Sequence, residues 1–261
     1  MGLNSPSVGI IGGTGRMGAW FARFFENQGC SVSSAGRRTV LTASAVAREC
    51  EVVIVSVPIA DTIGVIKELG PLVRKDGLIM DLTSIKKGPM EAMLNCSRSE
   101  VLGAHPLFGP EEKKMTDRKM VICPGRGERW LKWLTGILEK TGIRTIQMNP
   151  EEHDKLMGLI QGVNHFSTLA LALCIAKSGF SFEEILNCST RSFNQRLDRI
   201  RSILNQSPEL FESLIMDNSG TAEFIEQYLD SVENMIKMSR EIDRKSFREI
   251  FHSLQTFFNK T

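Results

Sequence analysis

The chain has 261 residues, 42% of them hydrophobic and 24% charged, with a formal net charge of +2. That length suffices for two modest domains, and a near-neutral balance without long runs of one sign excludes the basic footprint of a nucleic-acid binder and an acidic interaction tail. Six cysteines (Cys30, Cys50, Cys96, Cys123, Cys174, Cys188) lack C-x-x-C spacing and read as reduced thiols, neither a disulfide framework nor a metal site. The opening Met1-Gly2-Leu3-Asn4-Ser5-Pro6 lacks a signal peptide's basic and apolar regions, and Pro6 stands where a myristoylation signal wants Ser or Thr. With no apolar run judged long enough to span a bilayer, the expectation is a cytoplasmic protein without a membrane or nucleic-acid partner.

The chain opens with a strand, Val8 to Ile11, that flows into Gly13-x-Gly15-x-x-Gly18 and then an amphipathic helical pattern from Ala19 to Phe25. Strand, glycine turn and helix in that order form a dinucleotide site, because glycines let a pyrophosphate approach the amides that open the helix. Gly13, Thr14, Gly15, Arg16 and Met17 are therefore candidate cofactor contacts. A second strand, Cys30 to Ala35, ends at Gly36-Arg37-Arg38 with no acidic residue to hold a ribose diol. Two adjacent guanidiniums suit a 2′-phosphate, so NADP is favoured over NAD, with Gly36, Arg37 and Arg38 at the adenosine end.

Thr39 is expected to cap a helix through Glu49. Glu51 to Val57 then reads as a buried strand, with Ser56, Val57 and Pro58 at its ligand-facing end and Asp61 capping the next helix. Strands at Gly77–Leu82 and Val101–Ala104 deliver two polar clusters to the same edge: Thr83, Ser84 and Lys86, then His105. Met120–Pro124 and Arg144–Met148 complete the sheet around a helix carrying Trp130 and Trp133. The expected fold class is α/β, a Rossmann-type doubly wound parallel sheet over residues 1–149. A neutral histidine suits removal of a carbinol proton as hydride leaves, which makes His105 the candidate base and Ser84 its support.

From Met148-Asn149-Pro150 the strands vanish, and residues 150–261 read as an all-α domain. A long helix, about Glu151 to Lys177, is apolar round most of its circumference and is expected to be central and buried. Its one polar stripe holds Asp154, Gln161, His165 and Thr168, with Asn164 beside it. Further helices are expected after Ser181, from Ser192 to Gln206, from Pro208, over Gly220–Met238 and over Arg244–Phe258. The last of these bears Phe247, Phe251, Phe257 and Phe258, a core or dimer-contact face.

Taken together, the segments Ile11 to Gly18, Asp81-Leu82-Thr83-Ser84-Ile85-Lys86 with Gly88 to Met93, Gly103 to Pro110, and Glu152-His153-Asp154 through Gln161 to His165-Phe166 resemble the prephenate dehydrogenase family over nearly the whole chain. The resemblance implies oxidative decarboxylation of prephenate to 4-hydroxyphenylpyruvate in tyrosine biosynthesis. It also implies His105 as acceptor from the ring hydroxyl, Ser84 as its support, and a homodimer formed through the C-terminal helices. Lys86, Gln161, His165, Arg199 and Arg201 are the candidate substrate contacts.

One departure concerns the family arginine that binds a substrate carboxylate, whose place is taken by Ser202; an upstream arginine of some members falls at Asn194. Arg201 is adjacent and Arg199 lies a helical turn back, so either can substitute if the helix is shifted or rotated. Loss of a bidentate carboxylate contact costs on the order of 1.5–3 kcal/mol, enough to alter the preferred substrate. The alternatives are therefore a dehydrogenase of an analogue, arogenate or amino-deoxyprephenate, and a non-catalytic NADP-binding sensor. A β-hydroxy acid dehydrogenase is disfavoured because Gln161 and His165, rather than a lysine, occupy the long helix's cleft face.

Overall fold

The computed structural model describes residues 5–112 and 114–259; of the opening stretch read for targeting signals, residues 1–4 lie outside them. A seven-stranded sheet is built from β1 (Ser7–Ile11), β2 (Ser31–Ala35), β3 (Val52–Val55), β4 (Leu78–Asp81), β5 (Glu100–Pro106), β6 (Lys119–Arg126) and β7 (Arg144–Gln147), in spatial order 2-1-3-4-5-6-7. Helices α1 (Arg16–Asn27), α2 (Ala43–Glu49), α3 (Ile59–Leu69), α4 (Lys87–Cys96) and α5 (Arg129–Lys140) alternate with the strands. The order reverses between β1 and β3, the place where such sheets open a ligand crevice beyond the strand ends.

Alternation along the strands buries both faces. Val8, Ile10, Val52, Ile54, Leu78 and Met80 join Phe21, Phe25, Trp130 and Trp133 from α1 and α5, and Phe25 stacks on Trp133 at 5.6 Å. Val53, Val55, Ile79 and Val101 face the other way, onto α2, α3 and α4. β1 to β5 run parallel, but β6 pairs antiparallel with β5. This departs from the all-parallel expectation, and the cause is the segment 107–118, whose described residues form no crossover helix; β7 then runs parallel to β6.

Two capping expectations are corrected. Thr42, not Thr39, caps α2 by accepting the Ala45 amide at 3.2 Å, while Thr39 bonds back to Gly36 and Leu41 within its turn. Asp61 lies inside the first turn of α3, whose cap is Pro58, and meets Arg37 instead.

After Asn149, whose side chain accepts the Glu152 amide at 2.8 Å, every element is helical. α6 (Pro150–Met157) continues through a π-helical stretch, Gly158–Val163, into α7 (Asn164–Ala176). Then come α8 (Phe182–Asn187), opened by the Ser181/Glu184 capping box, α9 (Arg191–Leu204), α10 (Pro208–Glu212), a second π stretch, Ser213–Asp217, α11 (Thr221–Glu241) and α12 (Arg244–Phe258). Gly158 and Gly162 let the π stretch press against Gly220 and Thr221, where a side chain would collide.

The long helix is not the buried centre expected of it. Over Pro150–Ala176 it has the length and composition of a membrane-crossing helix, and only 6% of its most apolar window is buried, which also corrects the expectation that no such segment exists. Buried polar groups on its first half tie it to the sheet, as described below. Its second half and α12, with Phe247, Phe251, Phe257 and Phe258 all at least half exposed, leave an apolar surface uncovered in the single chain.

Gly12 has φ +85°, and a Cβ there would overlap the Ser56 carbonyl at the end of β3. The Gly12→Ala variant is expected to lose at least about 1–2 kcal/mol of stability, read as a lower urea midpoint with an unchanged denaturant slope.

Candidate active site

A cleft of about 780 Å³ lies between the carboxyl ends of the strands and the helices from α6 onward, a size suited to a small ligand. One end is formed by the glycine turn. Gly15, Arg16 and Met17 line it together with Ser56, Val57, Pro58 and Thr83. The turn is tied to β2 by Gly12 and Gly13 amides donating to the Ala35 carbonyl at 2.7 and 3.2 Å, and Gly18 packs so closely on Gly12 that no side chain fits between. The first helical bond is Ala19 to the Gly15 carbonyl, so the amides of Arg16, Met17 and Gly18 have no protein partner among the described residues. Three open N–H groups at a helix N-terminus fit the pyrophosphate of a nicotinamide dinucleotide.

Gly13, Thr14, Gly36, Arg37 and Arg38 do not line the enclosed cleft. Gly13 packs on Ser34 and Gly36 on Thr14, which places them beside it at the ends of β1 and β2. Arg37 and Arg38 are exposed, Arg37 pairing with Asp61 at 3.2 Å. Arg16 pairs with Glu111 beside the cleft.

Ser84 and His105 both line the cleft. His105 belongs to β5 itself rather than to the loop after it, and is 3% exposed. Its Nδ1 is 2.9 Å from Nε2 of His153, and Nδ1 of His153 is 2.7 Å from Oδ1 of Asp154. The other nitrogen of His105, Nε2, is directed toward the cleft, 3.5 Å from the side-chain nitrogen of Gln161. Burial, then the neighbouring His153 and Lys86, push the His105 pKa well below the ordinary 6.5, so the ring is neutral at neutral pH. Ser84 makes no hydrogen bond to His105; the imidazole is oriented by His153 and Gln161 instead.

The opposite wall comes from the helices. Gln161, His165, Arg199 and Gln206 line it with the apolar Met157, Ile203 and Phe211. His165 sits edge-on to Phe211 at 5.0 Å; its Nδ1 and the Gln161 Oε1 are buried with no partner among the described residues. Burial, followed by the Arg199 charge, lowers the His165 pKa.

Two expected substrate contacts are corrected. Lys86 is wholly buried beneath the cleft floor: its ammonium pairs with Asp81 and donates to the Ala104 carbonyl at 2.9 Å. A lysine committed to those partners, inside the protein, meets no substrate. Arg201 points away, over the Phe182 ring at 4.7 Å and near Asp198, because two residues of helix turn it to the far side of α9 from Arg199. Of the two arginines only Arg199 reaches the cleft, while Ser202 is exposed and absent from its lining. His153 is the residue that sequence reasoning overlooked as part of the site. Its one signal was its place in the Glu152-His153-Asp154 segment, next to a helix start.

The fold and cleft define a two-part dinucleotide-binding protein of the dehydrogenase type, with a buried histidine at a strand end facing a helical wall. Residues 32–147 match the model of the prephenate dehydrogenase nucleotide-binding domain and residues 149–253 that of the prephenate dehydrogenase dimerization domain. The T-protein of Haemophilus influenzae is 33% identical over 249 residues, 95% of this chain and 66% of that protein. A Methanocaldococcus jannaschii protein named "Probable arogenate/prephenate dehydrogenase" is 30% identical over 97% of this chain and 61% of its own length. The chain thus spans about two thirds of these relatives. Among solved structures, Synechocystis arogenate dehydrogenase superposes with a TM-score of 0.78 at 17% identity, covering 97% of this chain and 99% of that one. Prephenate dehydrogenase from Aquifex aeolicus, in complex with hydroxyphenyl propionate and NAD+, gives 0.77 at 17% identity, with 98% of both chains covered. The chain belongs to the prephenate dehydrogenase family.

Removing Lys86 leaves the buried Asp81 carboxylate, which also accepts the Thr83 amide at 3.0 Å, without its cation. Lys86→Met is expected to destabilise the fold by about 3–5 kcal/mol in urea denaturation, and the double variant with Asp81→Asn to recover much of that loss.

Proposed function

We propose that this protein is a nicotinamide-dependent dehydrogenase that oxidises and decarboxylates prephenate to 4-hydroxyphenylpyruvate. The observation that carries the reading is a neutral, buried His105 whose Nε2 opens on the same cleft as the unpartnered amides of the glycine turn. With its pyrophosphate held by the amides of that turn, a nicotinamide dinucleotide would supply the hydride acceptor. The chain's own task is to place the substrate's ring carbinol between that acceptor and His105, with Ser84 alongside. His105 takes the hydroxyl proton as the hydride leaves carbon 4. Loss of carbon dioxide from the resulting dienone is driven by aromatisation, and the electron pair of the broken bond leaves a phenolate oxygen to which His105 returns the proton. Catalysis is therefore mainly orientation plus one proton transfer.

Arg199 is the cation for a substrate carboxylate, and Gln161, His165 and Gln206 are its polar neighbours. None of the described side chains lining the cleft is acidic, and Glu111 beside it is engaged by Arg16. An ammonium group would enter without a counter-charge, which favours a keto-acid side chain over the amino-acid side chain of arogenate. For the cofactor, the absence of an acid at the end of β2 and the presence of Arg37 and Arg38 favour NADP over NAD. The exposed apolar surface of α7 and α12 is the face through which two copies form a homodimer.

Purified protein is expected to reduce NADP faster than NAD with prephenate, and arogenate to be the poorer substrate by kcat/KM. His105→Asn is expected to lower turnover by roughly 10²–10⁴-fold while cofactor affinity stays unchanged. Cofactor binding without turnover on either substrate would overturn the catalytic reading in favour of a binding protein.

The pH profile supplies an independent check. The base works only unprotonated, so activity falls as pH drops through the His105 pKa. Because burial sets that value well below 6.5, log kcat/KM should stay level through pH 6.5 and bend only at lower pH. An acid limb centred at or above that value would show that His105 is not the buried neutral base.

A further inference from the structure

We infer that His153 and Asp154 are positioning residues that hold His105 as its Nδ1–H tautomer, leaving the Nε2 lone pair as the only basic site on the ring and aiming it into the cleft. The inference rests on the proposed role of His105 as base, but the tautomer itself is a property of the free protein.

The assignment propagates from a carboxylate that has no choice of role. Asp154 accepts the amides of Lys86 at 2.7 Å and Lys87 at 2.9 Å through its two carboxylate oxygens, at the N-terminus of α4. An ionised carboxylate only accepts, so His153, with Nδ1 2.7 Å from Asp154 Oδ1, donates from Nδ1. His153 is wholly buried with its Nδ1 committed to Asp154, and in the inferred arrangement its Nε2 is the acceptor. At 2.9 Å from that acceptor, His105 Nδ1 carries the proton. The Gln161 side-chain nitrogen, 3.5 Å from His105 Nε2, is a donor and agrees with an unprotonated Nε2 there.

The competing arrangement is a doubly protonated His153 that donates to His105 Nδ1. It would put the proton of His105 on Nε2 and remove the base from the cleft. The two arrangements differ in three ring nitrogens, both of His105 and Nε2 of His153, and are separable by spectroscopy.

The chain contains four histidines, so long-range proton–nitrogen correlation spectra of histidine-labelled protein at neutral pH resolve every ring. Assignment follows from single histidine variants. The expected result is Nδ1–H on both His105 and His153. Nε2–H on His105, or an imidazolium at His153, overturns the inference whether or not prephenate is turned over. Absence of turnover with the expected tautomers would instead count against the proposed reaction alone. His153→Gln keeps an acceptor near the position of Nε2, whereas His153→Leu keeps none. Leu is expected to lower kcat by roughly 10–100-fold with KM and cofactor affinity little changed, and Gln to restore most of it and the His105 tautomer. Equal behaviour of a folded Leu variant and the Gln variant would reduce His153 to a packing role.

Discussion

The structure hangs on one carboxylate. Asp154, in the first helix after the sheet, accepts two amides at the start of α4 and a ring nitrogen of His153, all within a buried seam. Its backbone carbonyl also accepts the Asn218 side chain at 2.9 Å, which draws in the turn before α11. A single residue thereby satisfies a helix terminus of the nucleotide-binding half, holds the His153 ring that meets His105 and anchors the helical half.

Directly beneath it lies the Asp81–Lys86 pair, with Thr83 bonded to the same carboxylate. Thr83 and Ala104 add hydrogen bonds to the pair, all of those on the carboxylate falling on Oδ2, while Oδ1 of Asp81 is buried without a partner among the described residues. Placing a fixed positive charge under His105 discourages a second positive charge on the ring. The same buried pair therefore shapes the turn that carries Ser84 and biases the protonation of the neighbouring histidine.

Much of this architecture was legible in the order of residues. The strand, glycine turn and helix at the N-terminus, the change to helices after Asn149 and the convergence of Ser84, His105, Gln161, His165 and Arg199 all follow local pattern and a family resemblance. What was not legible depends on contacts between distant segments. Lys86 looks like a cleft lysine by its position after Ser84, and only the depth of Asp81 beneath it reveals otherwise. Arg199 and Arg201 are nearly equivalent in sequence, and the rotation of α9 separates them. The apolar character of the long helix was read as burial because composition reports affinity for a nonpolar surface without saying which molecule provides it. Likewise, the reversal at β6 depends on the path of an irregular loop that periodicity does not encode.

The π-helical stretch at Gly158–Val163 sets the phase of the long helix. His153 and Gln161, on either side of its start, converge on the two nitrogens of one imidazole. Eight residues of regular α-helix overshoot two full turns by about 80°, which would swing Gln161 round from His153, and wider turns absorb part of that overshoot. The stretch thus behaves as an inserted residue whose backbone misfit is tolerated because Gly158 and Gly162 allow close support from Gly220 and Thr221. Deleting one residue there would mend the hydrogen-bond ladder and at the same time rotate His165 and everything after it away from the ligand. In this helix local regularity and a functional wall are mutually exclusive.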